Sequence, residues 1–318
     1  MTTSTTTTPI DQTSDAAFRT WVAAIITQLA AVGLTQTADT GQINTSTVTR
    51  AATSTAAGYT IWQFSDTLQS TSPIFLKLEF GSGSLGTTYP QMWVSISTGT
   101  NGAGTLNNLA GATPVRFVCV TQNAPSSIIS SYSSYFCCEQ STIGYVGMSW
   151  KIGAYTGNGS NAAYGGFHLG RSNDSTGAAT SNAVFLLSNG TGTGTPYCGT
   201  MQCYSYTTTA IYPAASALAG AAQGWGIYPF SSTVTLTGGA VQVMPGMMMT
   251  PSIQFTQCIG LCSATEVPPG STFSSALIGS TARTYIQCGS PPGVANPIFG
   301  VNGTGYTTAQ VGMFMLWQ

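Results

Sequence analysis

The alternation of polar and apolar positions divides the chain into three stretches with different periods. Residues 1–13, MTTSTTTTPIDQT, are Thr-rich and show no apolar periodicity. They predict a polar arm that orders only against a partner. In residues 14–33, Phe18, Trp21, Val22, Ile25, Leu29 and Val32 recur at i, i+3, i+4 and i+7 spacing, so they share one face of a helix. Ser14 or Asp15 suits its N-cap and Gly33 its C-terminal stop. From residue 58 the period falls to two. The runs 59–64, 74–80, 91–97 and 115–120 alternate as half-buried strands do, and Gly-rich turns at 81–86 and 99–104 separate them. Further strand candidates are 143–152, 164–169, 183–188, 201–206, 225–230, 233–237, 240–244, 252–259, 284–288 and 311–317, while Ala214–Gln223 is a weak helical stretch interrupted by Gly220.

Short strands at regular spacing with Gly/Asn turns predict a mainly β fold, a β-sandwich or jelly-roll-like body preceded by one N-terminal amphipathic helix. The expected organisation is an arm and docking helix over 1–35 and a β body over 36–318, with a sub-boundary near 107–114. The helix face has two readings. It packs on its own domain, or it buries itself against neighbouring copies. The polar leader before it and the polar run 35–55 after it favour the second, because a helix isolated by flexible segments is marginal alone.

Composition sharpens this picture. Of 318 residues only 5% are charged, against about 25% in an ordinary domain. Apolar residues make up 42%, too many for intrinsic disorder. A net charge of −1 leaves little basis for nucleic-acid binding, which needs Lys and Arg to neutralise phosphates. The longest apolar run, 21–34, is shorter than the roughly 20 residues of a bilayer span, so no membrane insertion is expected. The leader lacks the basic and apolar regions of a secretory signal. So few charges suit a surface hidden in an assembly or coated with Ser, Thr and Asn. The 8 cysteines all lie beyond residue 118, and their even number permits pairing without requiring it.

The stretch GYTIWQFSDTLQSTSPIFLKLEFGSGS (58–84), followed by MWVSISTGTNGAGTL (92–106), resembles a recurrent module of tailed-bacteriophage and prophage virion proteins. DAAFRTWVAAIITQLAAVGLTQTADTGQIN (15–44) is similar to the segment that precedes it there. The resemblance covers about the first third of the chain. It implies a structural role in the virion, in the tail, baseplate or fibres, with copies of itself and other virion proteins as partners. It carries no catalytic residues. Residues 120–318 bear no such resemblance.

The chemical motifs argue against an enzyme, and no cofactor or metal is implied. Asp39-Thr40-Gly41 spells the aspartic-protease triplet, but that chemistry needs two carboxylates sharing a proton, and apolar strands to bury them are missing here. Gly81-Ser-Gly-Ser-Leu-Gly86 fits GxGxxG, yet a strand follows where a dinucleotide site needs a helix N-terminus. His168 is the sole histidine; Asp174 is near enough to orient it, but no GxSxG turn accompanies it. Cys258/Cys262 and Cys198/Cys203 are loose relatives of metal-ligand pairs. Glu139, Asp174 and Glu266 are the acids beyond residue 79, and no spacing brings two together as a glycosidase requires. Aromatics interleaved with Asn, Gly and Ser fill the middle of the chain. They are core and cross-strand pairs, or a platform for a host-surface glycan or a rigid protein contact, with Tyr132, Tyr135, Tyr155 and Tyr164 the candidates. The Met-rich segment 244–249 is an adaptable apolar patch. The function expected is therefore that of a homo-oligomeric virion component, the helix serving assembly. The alternatives are a glycan-recognising fibre domain or a capsid decoration protein.

Overall fold

The computed structural model describes residues 2–8, 10–11, 13–51, 55–84, 88–107, 115–118, 128–129, 134–139, 145–154, 162–173, 178–188, 201–204, 211–213, 244–250, 252–263, 272–275, 283–287 and 311–317. Among these residues the fold is mainly β, with a single helix. The candidate elements at 214–223, 225–230 and 233–237 lie outside the described residues.

The chain opens with β1 (Thr2–Thr6) and β2 (Ile10–Asp11), then enters α1 (Asp15–Ala31). Ser14 caps the helix, its hydroxyl accepting from the Ala17 N–H at 3.1 Å. Asp15 sits in the first turn, where a negative charge complements the helix dipole. At the other end Gly33 adopts φ 100°, a conformation open to glycine at little cost. The Gly33 N–H then reaches the Ala30 carbonyl and the Leu34 N–H the Leu29 carbonyl, the paired bonds of a Schellman stop.

Next come β3 (Thr35–Gln36), β4 (Thr55–Gln63), β5 (Phe75–Ser84), β6 (Thr88–Ser97), β7 (Gly99–Thr100), β8 (Leu106–Asn107) and β9 (Val115–Val118). An antiparallel sheet runs in the order β3-β4-β5-β6-β9, and β7 and β8 form a separate hairpin. The stretch expected as a turn, 81–86, is partly strand. Pairing continues from Gly81↔Gln91 to Ser84↔Thr88, because Gly and Ser keep their main-chain bonds even where no apolar side chain marks a strand.

The second half supplies β10 (Ile128–Ile129), β11 (Ser134–Glu139), β12 (Tyr145–Ala154), β13 (Ala162–Asn173), β14 (Ala179–Ser188), β15 (Met201–Tyr204), β16 (Ile211–Pro213), β17 (Met244–Thr250), β18 (Ser252–Ser263), β19 (Thr272–Ser275), β20 (Arg283–Gln287) and β21 (Val311–Leu316). Among the described residues β11 to β21 together with β1 build a 12-stranded sheet whose path is β1-β11-β12-β13-β18-β21-β20-β19, with β14, β15, β16 and β17 joined beside it, while β10 pairs with β2 in a separate two-stranded sheet. The Met-rich patch becomes β17, paired to β18 with a register shift between Pro245 and Gly246.

Three rows of side chains explain the core. Register places Trp62, Leu76 and Ile96 in one row across β4, β5 and β6, Thr60, Leu78 and Val94 in the next, and Phe80 and Met92 in a third. α1 lays Phe18, Trp21, Val22, Ile25 and Leu29 into the same core, and Val32 and Leu34 complete its end. Trp21 stands edge-on to both Phe18 and Phe80, each with ring centroids 5.8 Å apart. Phe136 and Cys138 of β11 and Leu169 of β13 close the cluster from the large sheet.

This packing corrects two expectations. The helix face assigned to neighbouring copies (Phe18, Trp21, Val22, Ile25, Leu29 and Val32) is buried within the chain's own core. The 17-residue helix is too short to stand alone and takes the nearest apolar surface, which the strands of its own chain supply. Nor do flexible segments isolate it. The leader pairs as β1 with β11, and β2 pairs with β10. After the helix, Arg19 Nε donates to the Val48 carbonyl at 2.7 Å, and the Arg50 backbone N–H and Nε both reach Asp15 Oδ1. Residues 1–35 and the β body thus share one core.

Trp21→Ala is expected to cost about 3–5 kcal/mol in chemical denaturation, whereas Thr27→Ala on the exposed face should stay within about 0.5 kcal/mol. Near-equal effects would mean that the helix is not part of the core.

Candidate functional site

Among the aromatic candidates, Tyr132 and Tyr155 lie outside the described residues. Tyr135 falls in β11 and Tyr164 in β13. Tyr135 pairs with Ser149 and Tyr164 with Lys151, two residues further along β12. Pleat alternation therefore places positions 135 and 164 on one face of the large sheet, opposite the face that carries Phe136, Cys138 and Leu169 into the core. Position 168 shares that face. His168 stands in mid-strand, paired with Gly147 and Leu186, rather than at a strand end or loop. Its suggested partner Asp174 lies outside the described residues, as do Glu266 and Cys198. Glu139 closes β11 opposite Tyr145. Cys258 and Cys262 both fall on β18.

Two polar clusters that motif reading passed over organise the described structure. The first is centred on Arg171, fully buried on β13. Its Nε donates to Asp66 Oδ2 at 2.9 Å and its Nη2 to Asp66 Oδ1 at 3.1 Å, a two-pronged pairing that fits the planar guanidinium. Nη1 donates to the Ser72 carbonyl at 2.6 Å. Asp66 and Ser72 belong to the loop between β4 and β5. That loop folds on itself through the Ser72 N–H to Leu68 carbonyl bond, and Gln69 braces the start of β5 by exchanging two hydrogen bonds with the backbone of Ile74. One side chain of the large sheet thus satisfies the polar groups of a loop from the five-stranded sheet. A signal for it existed. In a chain with 5% charged residues, an Arg extending an alternating strand stands out, because a buried guanidinium demands a carboxylate.

The second cluster is centred on Asp39, the residue of the protease-like triplet. Its side chain is buried among donors: the Thr37 and Thr100 hydroxyls at 2.7 and 3.0 Å and the Gly104 N–H at 3.0 Å. Burial pushes its carboxyl pKa up. The three hydrogen bonds outweigh that, and the group is held below its ordinary 3.8. The Thr40 N–H reaches the Gly102 carbonyl, and the Tyr59 hydroxyl donates to the Thr40 carbonyl. Burial first and the Asp39 charge second raise the Tyr59 pKa, so this phenol stays a donor. Gly104 has φ 86°, and a Cβ there would lie 2.1 Å from the Tyr59 oxygen, so no larger residue fits. Beside the cluster, Gln42 Oε1 accepts from the Ile61 N–H, filling a gap in the main-chain ladder between the Thr37 and Ile43 bonds to β4. The arrangement is a clasp fastening the segment after α1 to the β7–β8 hairpin. Hydroxyl and amide donors surround the carboxylate, which suits fixing a turn and not sharing a proton.

The face of the five-stranded sheet that carries Tyr59, away from the core rows, holds other charges. Lys77 contacts Glu79 at 3.2 Å and lies 4.6 Å from the centre of the Tyr59 ring. Register sets Tyr59, Glu79, Trp93 and Arg116 in one row. Among the described residues no helix is long and apolar enough to cross a membrane. Comparison with known protein families, curated proteins and solved structures finds no match to this chain.

Breaking the Arg171 cluster from one side leaves a buried charge without its partner. Arg171→Met is expected to destabilise by about 3–5 kcal/mol, and adding Asp66→Leu should restore much of the loss. Simple additivity of the two substitutions in denaturation would contradict a coupled pair. Asp39 predicts a pH effect of defined sign. Because its folded pKa lies below its unfolded one, its contribution is complete above the unfolded value and is lost as pH falls through the folded one. Asp39→Asn should therefore flatten the loss of stability on acidification below about pH 4. Parallel curves for the two proteins would remove Asp39 from the acid response.

Proposed function

We propose that this chain is a structural protein of a tailed-phage virion, a tail, baseplate or fibre component that acts as a homo-oligomer beside other virion proteins. The observation that carries the reading is the joint one of charge and architecture. A strand-rich chain with 5% charged residues spends the most buried ion pair among its described residues, Arg171–Asp66, on joining its own sheets. Its polar groups serve internal architecture, which suits a protein whose business is assembly. The stretch that resembles the virion module, 58–106, supplies β4, β5, β6 and the β7–β8 hairpin. Antiparallel pairing throughout and a core fed from two sheets support a jelly-roll-like sandwich as the finer architecture. Since the α1 face is occupied within the chain, assembly contacts fall to strand edges and outer sheet faces.

A second reading, recognition of a host-surface glycan by a fibre domain, draws on positions 135 and 164 sharing the face of the large sheet opposite the one that carries Phe136 and Leu169. Tyr135→Ala and Tyr164→Ala should each weaken glycan-array or whole-cell binding if that face is the receptor site, and leave assembly intact.

Sedimentation velocity combined with electron microscopy of the purified chain tests the leading reading. A discrete symmetric oligomer is expected. Persistence as single copies across the accessible concentration range contradicts it.

A further inference from the structure

We infer that β1 is an exchangeable arm, donated to the β11 edge of a neighbouring copy of this chain. The inference deepens the assembly reading and rests on it. It names the contact through which copies join.

β1 consists of Thr2-Thr3-Ser4-Thr5-Thr6 and pairs with β11 over its whole length, from Thr2↔Cys138 to Thr6↔Ser134. None of its residues is buried, and none is apolar. Its side-chain tie to α1 is the Ser4 hydroxyl on Gln28 Oε1. The arm is therefore held by main-chain hydrogen bonds, which do not distinguish the chain's own Thr2–Thr6 from those of another copy. The two elements on either side of that ladder are anchored differently. β11 sends Phe136 and Cys138 into the core at 0% and 2% exposure, and α1 buries five side chains there. If the arm shifts, helix and acceptor strand stay.

The acceptor edge needs a cover. An uncovered β11 would present unpaired N–H and C=O groups beside an apolar strand, a template for uncontrolled pairing. A polar Thr/Ser strand supplies the ladder and adds no apolar surface of its own. This is strand addition, in which backbone bonds give the affinity. Exchange of an identical element between copies makes the same contacts as the closed form, so it is a low-cost route to an oligomer. The geometry also limits the product. β2 is pinned by Ile10↔Ile129 and Asp11↔Ile128, and only three residues of sequence, 7–9, link it to β1. Three residues reach about 10 Å. Donor and acceptor bodies must therefore touch, as in a closed dimer or a tight ring.

Thr3 pairs with position 137 in the ladder, so Thr3→Cys sets a cysteine opposite Cys137 at a cross-strand Cα separation that a disulfide can bridge. The full-length Thr3→Cys protein is oxidised, its 3–137 bond located by peptide mapping, and its mass read under denaturing, non-reducing conditions. Thr3→Cys with Cys137→Ser is the control that must lose the bond. Exchange predicts covalent dimers or a ring ladder joined through 3–137. A 3–137 bond confined to single chains, in material that sedimentation finds oligomeric, overturns exchange and leaves the assembly reading standing. Single-chain bonds in monomeric material overturn both. A folded protein that forms no 3–137 bond also overturns the inference, because the arm is then not on β11. Deletion of residues 2–6 gives an independent readout: the oligomer should dissociate with the far-ultraviolet spectrum retained, and an oligomer that survives the deletion counts against exchange.

Discussion

Burial of the apolar face of α1 is the interaction on which the remaining architecture depends. A helix of 17 residues is marginal in water, and this one gains its stability from side chains worth roughly 1.5–3 kcal/mol each when removed from solvent. The gain is large enough to absorb a defect. The Trp21 Nε1 is buried with no hydrogen-bond partner among the described residues, at a cost of about 1–3 kcal/mol. The indole's packing against Phe18 and Phe80 and its wide apolar area offset that cost. The same core takes in Phe136, Cys138 and Leu169, so the helix and residues of both major sheets share a single apolar cluster.

Charge plays a narrow and specific part around that core. With seven basic and eight acidic side chains in the whole chain, solvated ion pairs are too few to form a surface network. Arg171 and Asp66 instead meet with their side chains at 0% and 5% exposure. Such a pair contributes little net stability over apolar residues of the same shape, since desolvation offsets attraction. Its effect is on uniqueness. A guanidinium fork on β13 accepts one arrangement of the β4–β5 loop, the one that aims Asp66 and the Ser72 carbonyl at it. The Asp39 clasp does the same for the segment after α1 with hydroxyl and amide donors in place of a cation.

Period carried most of what could be read in advance. Alternation located β4, β5, β6, β12, β13, β14 and β18, because each has one apolar face that registers in sequence, and helical spacing with Ser14 and Gly33 located α1 nearly to its ends. The destination of the helix face did not follow from the pattern, since an apolar stripe does not specify whether its partner lies in the same chain. β1 was missed for a related reason. Threonines carry no alternation, and the strand exists through backbone pairing with residues 134–138 of the distant β11. Asp39 stood out in the sequence as part of a triplet but not as a clasp, because Thr100 and Gly104 reach it only through the β7–β8 hairpin. Arg171 and Asp66 sit 105 residues apart, beyond any local motif.

Within this chain the scarce charged groups close turns and join sheets, the helix serves as an internal wedge, and β1 lies on the β11 edge with none of its side chains buried. The central claim, that α1 and both major sheets form one cooperative unit, is tested most directly by native-state hydrogen exchange. The account predicts that the slowest amides of α1, β5 and β11 share one opening free energy, equal to that of global unfolding. Exchange of the α1 amides through a separate, much less costly opening, with β5 still protected, would contradict it.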